Sequence, residues 1–175
     1  MCNFLSALVL RNGDVVTHPL LDGHADLVTY FKLRDESLLG SPFAKLELRP
    51  KDWLDAATWE FAIDAPEPSW WPDVAIGAEQ ALRDRAARMI LRDGEHRLIV
   101  DGCWIIGGTA VLRDVRGGRL LRVQDQAQIH NVWGAAQIRN VRDQAQIRNV
   151  RDQAQIRNVR DQAQLDASAL AHVIL

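Results

Sequence analysis

The sequence predicts an α+β N-terminal domain followed by a C-terminal β-solenoid, a parallel β-helix-like stack with two nonapeptides per coil. Three observations lead to this fold class. A nine-residue repeat fills residues 125–160 as DQAQIHNVW, GAAQIRNVR, DQAQIRNVR and DQAQIRNVR. Glycines separate the earlier, more divergent copies, and residues 1–97 carry short strand and helix patterns without a repeat. We therefore expect a head domain at 1–97 and a repeat domain at 98–175.

The repeat places Ala, then Ile two residues later, then Val three residues beyond. In a helix, at about 100° per residue, these positions fall on two opposite faces, and Asn, Ile and Val are mediocre helix formers. In a strand, Ala and Ile point inward together, and Arg-Asn forms a corner before Val. Nine residues are too few to close a hydrophobic coil. We therefore expect two repeats per coil, with coils stacked about 4.8 Å apart.

The array extends beyond its clearest copies. The same triple occurs upstream as Ala110/Leu112/Val115 and Gly118/Leu120/Val123, and a degraded copy follows as Ala163/Leu165/Ser168. The array therefore begins near Thr109. The apolar tail, residues 165–175, either caps the C-terminal end or pairs with a second chain, and we expect a homodimer through it.

The head domain is expected in ββαββα order. Asn12-Gly13 between two β-branched runs predicts a hairpin. The remaining elements are a helix over 24–33 capped by Asp22, strands over 43–48 and 59–63, and a helix over 73–92 closed by Gly94.

Composition limits the functional classes. The chain has 175 residues, 47% hydrophobic and 25% charged, and its net charge of −2 indicates no global preference for nucleic acid or anionic membranes. Cys2 and Cys103 form no disulfide framework, and the apolar run 4–10 is too short to span a membrane. We expect a cytoplasmic protein without a cofactor.

The repeats resemble the short-period β-solenoid repeats of phage and bacterial proteins, such as the hexapeptide and pentapeptide families. The opening MCNFLSALVLRNGDV, together with WIIGGTAVLRDV before the array, is similar to uncharacterised tailed-phage and prophage proteins. This resemblance implies a viral origin, with cytoplasmic residence in the infected host. It implies no particular activity.

Cys2 is the candidate catalytic residue. A cysteine after the initiator Met becomes an N-terminal nucleophile when the Met is removed, with its α-amine as base. Such starts resemble the glutamine amidotransferases and the abasic-site crosslinking proteins, which open with M-C-G, whereas this chain has Asn3. The alternative is a small, half-buried strand residue.

A candidate metal site comprises His18, Asp22, His24 and Asp26, the only dense cluster of metal-type ligands in the sequence. Imidazoles and carboxylates suit zinc or another divalent ion. The alternative is a solvated loop in which Asp22 serves as the helix cap.

Two sets of residues are candidate binding surfaces. One set is the repeat arginines, which form a basic ladder able to meet phosphates at fixed spacing, or else a solvated charged face: Arg139, Arg142, Arg148, Arg151, Arg157 and Arg160. With two repeats per coil, Arg139 lies above Arg157. The other set is Trp70 and Trp71, an exposed aromatic platform between prolines, or else part of the core packing between the head and the array.

The sequence favours a non-enzymatic binding or assembly protein. Its rigid solenoid presents a repetitive Arg/Gln/Asp surface to a macromolecular partner, either a host protein or nucleic acid. The alternative is a small enzyme acting on a nucleotide or nucleic acid through Cys2 or a His18/His24 site.

Overall fold

A computed structural model describes residues 5–34, 40–64 and 66–166 and the backbone of residues 167 and 172–174. The chain divides into two compact units, Met1–Arg88 and Met89–Leu175, which we call the N-terminal unit and the solenoid unit. Each unit is described by itself. In the described part of the chain, no helix is long and apolar enough to cross a membrane.

The N-terminal unit combines one antiparallel sheet with helices. Its elements are β1 (Leu5–Leu10), β2 (Val15–Val16), α1 (His24–Tyr30), β3 (Phe43–Arg49), a 3-10 turn (Ala56–Thr58), β4 (Glu60–Ile63) and α2 (Trp71–Arg88). The sheet order is β2-β1-β3-β4. The chain reverses at Asn12-Gly13, where Gly13 has a φ of 89° and its N–H donates to Leu10 O at 2.8 Å. A buried cluster of Leu8, Leu27 and Phe43 joins β1, α1 and β3.

Both helices differ from the prediction at their ends. The expected Asp22 cap is wrong, because Gly23 is the N-cap of α1 and no side chain bonds to the helix start. The Asp22 carbonyl instead accepts a hydrogen bond from the Ser6 hydroxyl. The second helix ends at Arg88 rather than 92, because the following residues form a strand of the solenoid unit.

The solenoid unit consists of two parallel sheets, which confirms the predicted β-solenoid. Its strands are β5 (Ile90–Leu91), β6 (Glu95–Ile99), β7 (Cys103–Ile106), β8 (Val111–Val115), β9 (Arg119–Val123), β10 (Gln128–Val132), β11 (Gln137–Ile138), β12 (Gln146–Val150), β13 (Gln155–Arg157), β14 (Gln164–Ala167) and β15 (His172–Ile174). One sheet has the order β14-β12-β10-β8-β6, and the other has the order β15-β13-β11-β9-β7-β5. Successive strands along the chain therefore alternate between the two sheets.

Strand pairing places equivalent apolar residues over one another. Ile129 pairs with Ile147 in one sheet and Ile138 pairs with Ile156 in the other, so in both cases the partners are 18 residues apart (147 − 129 and 156 − 138). Upstream, Leu112 pairs with Ile129, a separation of 17 residues (129 − 112). The inward triples are buried in one continuous core that runs from Ile99 to Ile156.

The solenoid begins before the recognisable repeats. β5 and β6 pair in parallel with β7 and β8, although neither carries the Ala-x-Ile-x-x-Val pattern. The expected domain boundary between residues 97 and 98 lies inside β6. These strands are short and irregular in sequence, and they are defined by the coil stacked on them rather than by their own periodicity.

Candidate functional site

The inward positions of the repeat are fully used by the core. Ala127, Ile129 and Val132 have no exposed surface, and the equivalent residues of the next three repeats are at most 1% exposed, apart from the partly buried Val159. Burying each of the Ile and Val side chains stabilises the fold by roughly 1.5–3 kcal/mol. Contact with a partner must therefore come from the Asp, Gln, Arg and Asn side chains.

The aspartates of the repeat are corner residues. They share a left-handed backbone, with φ between 57° and 61°: Asp125, Asp143, Asp152 and Asp161. Their carboxylates accept hydrogen bonds from backbone N–H groups of the neighbouring coil. The Asp125 carboxylate accepts from Gly108 at 2.9 Å, and that of Asp143 accepts from the Asp125 N–H at 3.3 Å. The aspartates therefore stabilise coil stacking and are not a free anionic surface.

The asparagines form a second set of coil-to-coil bonds. The Asn149 side-chain amide donates to Asn131 Oδ1 at 3.1 Å, and Asn131 in turn donates to Asp114 Oδ1 at 2.9 Å. On the other side, Asn158 donates to Asn140 at 3.5 Å, and Asn140 donates to the Leu121 carbonyl at 3.0 Å. Asn149 and Asn158 have positive φ, which agrees with the predicted change of direction at Arg-Asn.

Glutamine and arginine remain for the outer faces of the sheets. Gln146 pairs with Gln128 and Gln164 in one sheet, and Gln137 pairs with Gln155 in the other. Each glutamine precedes an inward isoleucine or leucine, so its side chain points outward on the strand. An arginine, a histidine or an aspartate follows the same inward residue, so its side chain shares that outer face.

One outer face contains a cleft rich in guanidinium groups. The cleft encloses about 90 Å³ and is lined by Arg119, Gln137, Ile138, Arg139, Gln155 and Arg157. The Arg157 guanidinium donates to Gln155 Oε1 at 3.3 Å, and Arg119 is only 8% exposed. None of the lining residues carries a carboxylate. A second cleft of about 290 Å³ on the other sheet does include an acid, Asp166, beside Arg148 and Gln164.

The predicted arginines do not form one ladder. Arg139 and Arg157 follow the paired Ile138 and Ile156 and lie on one sheet, whereas Arg148 follows Ile147 on the other. The remaining three arginines follow inward valines and lie beyond the sheet faces: Arg142, Arg151 and Arg160. Arg148, Arg151, Arg157 and Arg160 are exposed and form no ion pair with a described carboxylate. The arginines therefore make several short rows.

Arg122 lies in a region of mixed charge, close enough to feel the charges of Arg142 and of Asp143, Asp125 and Asp161. Burial lowers the pKa of the Arg122 guanidinium below its ordinary value, and the nearby charge of Arg142 lowers it further. Arg142 also has a buried Nε that has no hydrogen-bond partner in the described structure.

The two candidate platform tryptophans are packed into the N-terminal unit. Trp71 is 5% exposed and stacks on Phe61, with ring centres 6.4 Å apart and planes inclined at 11°. Trp70 is half-buried, and its Nε1 donates to the Ser41 carbonyl at 2.9 Å. The proline-flanked segment therefore does not present the pair as an exposed platform. In the solenoid unit, Trp133 carries the Arg116 guanidinium 4.3 Å above its ring centre.

The four predicted metal ligands do not converge. His18 accepts a hydrogen bond from the Leu20 N–H at Nδ1 and lies against the Tyr30 ring. His24 instead meets Glu47 and Asp64, and these three are the group of metal-type side chains that the described residues bring within 4.8 Å. Cys2, the candidate nucleophile, lies outside the described residues.

Sequence reasoning missed Glu47 and Asp64 because they lie on strands far along the chain from His24. No local signal identifies Glu47, because Lys45-Leu46-Glu47-Leu48-Arg49 alternates as an amphipathic strand and places Glu47 on its polar face. The structure buries that carboxylate, and a buried carboxylate needs a partner. Its exposure is only 3%.

Comparisons with protein families, curated proteins and solved structures gave no match.

Proposed function

We propose that this chain is a non-enzymatic, phage-type binding or assembly protein. An α+β head at the N-terminus is followed by a solenoid built from two nonapeptides per coil. The solenoid presents rows of arginine and glutamine to a macromolecular partner in the host cytoplasm, either a protein or nucleic acid. The 18-residue separation of Ile129 from Ile147 supports two nonapeptides per coil, and the low cysteine content supports a reducing compartment.

The division of labour within the repeat supports this function. Ala, Ile and Val are used by the core, and Asp and Asn are used by bonds between coils. Gln and Arg are the remaining positions of the repeat, and both are repeated in register on the outer faces. A merely solvated face would be served equally well by mixed charges.

The chemistry of the cleft favours an anionic partner. Three guanidinium groups line it, those of Arg119, Arg139 and Arg157, together with glutamine amides and no carboxylate. Arginine binds carboxylates and phosphates through paired N–H donors. Arg139 and Arg157 are equivalent positions on neighbouring strands, about 4.8 Å apart, whereas Arg119 is in register with Gln137. A partner with regularly spaced phosphates or carboxylates matches that spacing.

A charge-matched pair of variants tests the proposal. Arg139 and Arg157, which line the cleft, are replaced by glutamine in one variant. In the control, Arg11 and Arg34, which are exposed in the N-terminal unit, are replaced in the same way. Both variants lose two positive charges. Binding to fluorescein-labelled duplex DNA is measured by anisotropy at several salt concentrations, and proteins retained from bacterial lysate are identified in parallel.

The solenoid variant should lose at least tenfold in affinity for the partner, and the control should bind like the parent protein. For DNA, the salt dependence should also become shallower by roughly one unit per phosphate contact removed. If both variants lose the same affinity, the loss is a general effect of net charge, and the solenoid face is not the binding surface.

The alternative function is a small enzyme whose site lies in the N-terminal unit. Convergence of His24 with two carboxylates supports such a site. The described residues give no such support for a catalytic site that uses Cys2 or that pairs His18 with His24.

A further inference from the structure

His24 is held in a defined orientation inside the N-terminal unit. Only 8% of the residue is exposed, and its Nε2 lies 2.9 Å from the carbonyl oxygen of Leu46. A carbonyl can only accept, so Nε2 carries the proton and donates it. In the neutral ring the lone pair is then on Nδ1, which lies 3.1 Å from Asp64 Oδ2.

The Nδ1 lone pair and the carboxylate oxygen repel each other unless a positive charge lies between them or beside them. Either a proton on Nδ1 or a cation shared by the two atoms provides this. A metal-binding histidine usually donates its other ring N–H to a backbone carbonyl or a carboxylate, which fixes the tautomer. His24 has this arrangement.

Glu47 adds a second carboxylate to the group. It is 3% exposed, and one of its oxygens accepts two hydrogen bonds from Arg49, at 2.7 and 3.0 Å. The group therefore brings two carboxylates to the side of the His24 ring, one of them buried and bonded to Arg49.

We propose that His24 Nδ1, Glu47 and Asp64 form a binding site for a divalent transition-metal ion such as zinc. The candidate atoms all lie within 4.8 Å of one another. Two ligands that share a zinc ion at about 2.0–2.2 Å each are themselves roughly 3–3.5 Å apart, so the 3.1 Å separation of Nδ1 and Oδ2 fits a shared ion. One imidazole and two carboxylates suit zinc better than calcium or magnesium, which prefer oxygen alone.

Asp64 gives the ion a route from solvent. Its side chain is about half exposed, at 50%, whereas His24 and Glu47 are buried. The Asp64 backbone is tied to β3 by a hydrogen bond from its N–H to the Lys45 carbonyl at 2.9 Å. A pre-positioned carboxylate at the mouth of a buried pair allows an ion to bind without unfolding the sheet.

Zinc titration of the full chain tests this site. The protein is stripped with EDTA, and zinc chloride binding is measured by calorimetry and by the shift of the thermal midpoint. The variants are His24→Gln and Asp64→Asn, with His18→Gln as a matched control that removes an imidazole from the same unit.

The parent protein and His18→Gln should each bind one zinc ion and melt at a higher temperature with zinc. His24→Gln and Asp64→Asn should bind at least tenfold more weakly. If His24→Gln fails to fold, the half-exposed Asp64→Asn decides alone. If the parent protein binds no zinc, His24 and Asp64 form only an imidazolium–carboxylate pair. If all variants bind zinc equally well, the ion binds at another place in the chain. Either result overturns the proposal.

Discussion

Gly134 stands where other copies of the repeat carry aspartate. Its φ of 65° is close to the 57–61° of those aspartates, so the backbone turn is the same. Gly134 differs in the room for a side chain. A Cβ at this position would lie closer to the Arg116 carbonyl oxygen than Cβ atoms do in real structures. The substitution in GAAQIRNVR therefore reflects the coil beneath it, whose connection to β9 is irregular.

Gly134→Ala should destabilise the solenoid unit more than Gly94→Ala. Both glycines have positive φ, which costs alanine roughly 1–2 kcal/mol, but Gly94 has open space around it. The steric conflict at Gly134 should add to that cost. Urea midpoints measured on the two variants should therefore differ, and equal midpoints would show that the contact relaxes without cost.

At the scale of single residues, the sequence predicted correctly which repeat residues point into the core. It did not predict contacts between side chains that are far apart in the sequence. The inward Ala, Ile and Val positions follow from local periodicity, and they are buried. The contact of His24 with Asp64 spans 40 positions in the sequence. No local pattern encodes that contact, because it needs both the antiparallel pairing of β3 with β4 and the hydrogen bond of His24 to the Leu46 carbonyl in β3.

At the scale of elements, pairing between strands overrides local preference after α2. The apolar spacing continues past Arg88, which predicts more helix. Instead Ile90 pairs with Ile105, and the Ile105 N–H donates to the Met89 carbonyl at 2.8 Å. The same effect explains β6, whose alternating charged residues form a strand because β8 pairs with it.

Deleting residues 143–160 should leave a folded, shorter protein. The deletion joins Arg142 to Asp161 and recreates an existing Arg-Asp junction, and every later strand stays on its own sheet under the two-repeat coil. Deleting residues 143–151 alone moves β13, β14 and β15 to the opposite sheets. We therefore expect the protein without residues 143–151 to have a thermal midpoint more than roughly 5 °C below that of the protein without residues 143–160.

Circular dichroism during heating measures both midpoints. Loss of folding in the 18-residue deletion, or equal midpoints in the two proteins, would count against a coil of two nonapeptides.

At the scale of the whole molecule, β14 and β15 are the last strands in their sheets. β14 pairs with β12, and β15 pairs with β13 through Ile156 and Val173. A terminal strand presents unpaired backbone groups that favour association with another chain. This position supports the proposal that the tail mediates a homodimer.

Sedimentation velocity over a hundredfold range of concentration should show a dimer for the full chain. A variant without residues 172–175, which lacks β15, should sediment as a monomer if this edge is the interface. A full-length protein that stays monomeric at every concentration would rule out the dimer.

The sequence by itself determined the parallel β-solenoid and its inward residues, because a short repeat makes each coil pack against a near copy of itself. The tertiary structure alone decided the solenoid strands before residue 98, the bonds that Asp and Asn make between coils, and the meeting of His24 with Glu47 and Asp64. The physical reason is the separation along the chain between the residues that interact. Periodicity reports the face that a residue presents, whereas a hydrogen bond to another coil or another strand depends on which distant segment is stacked beside it.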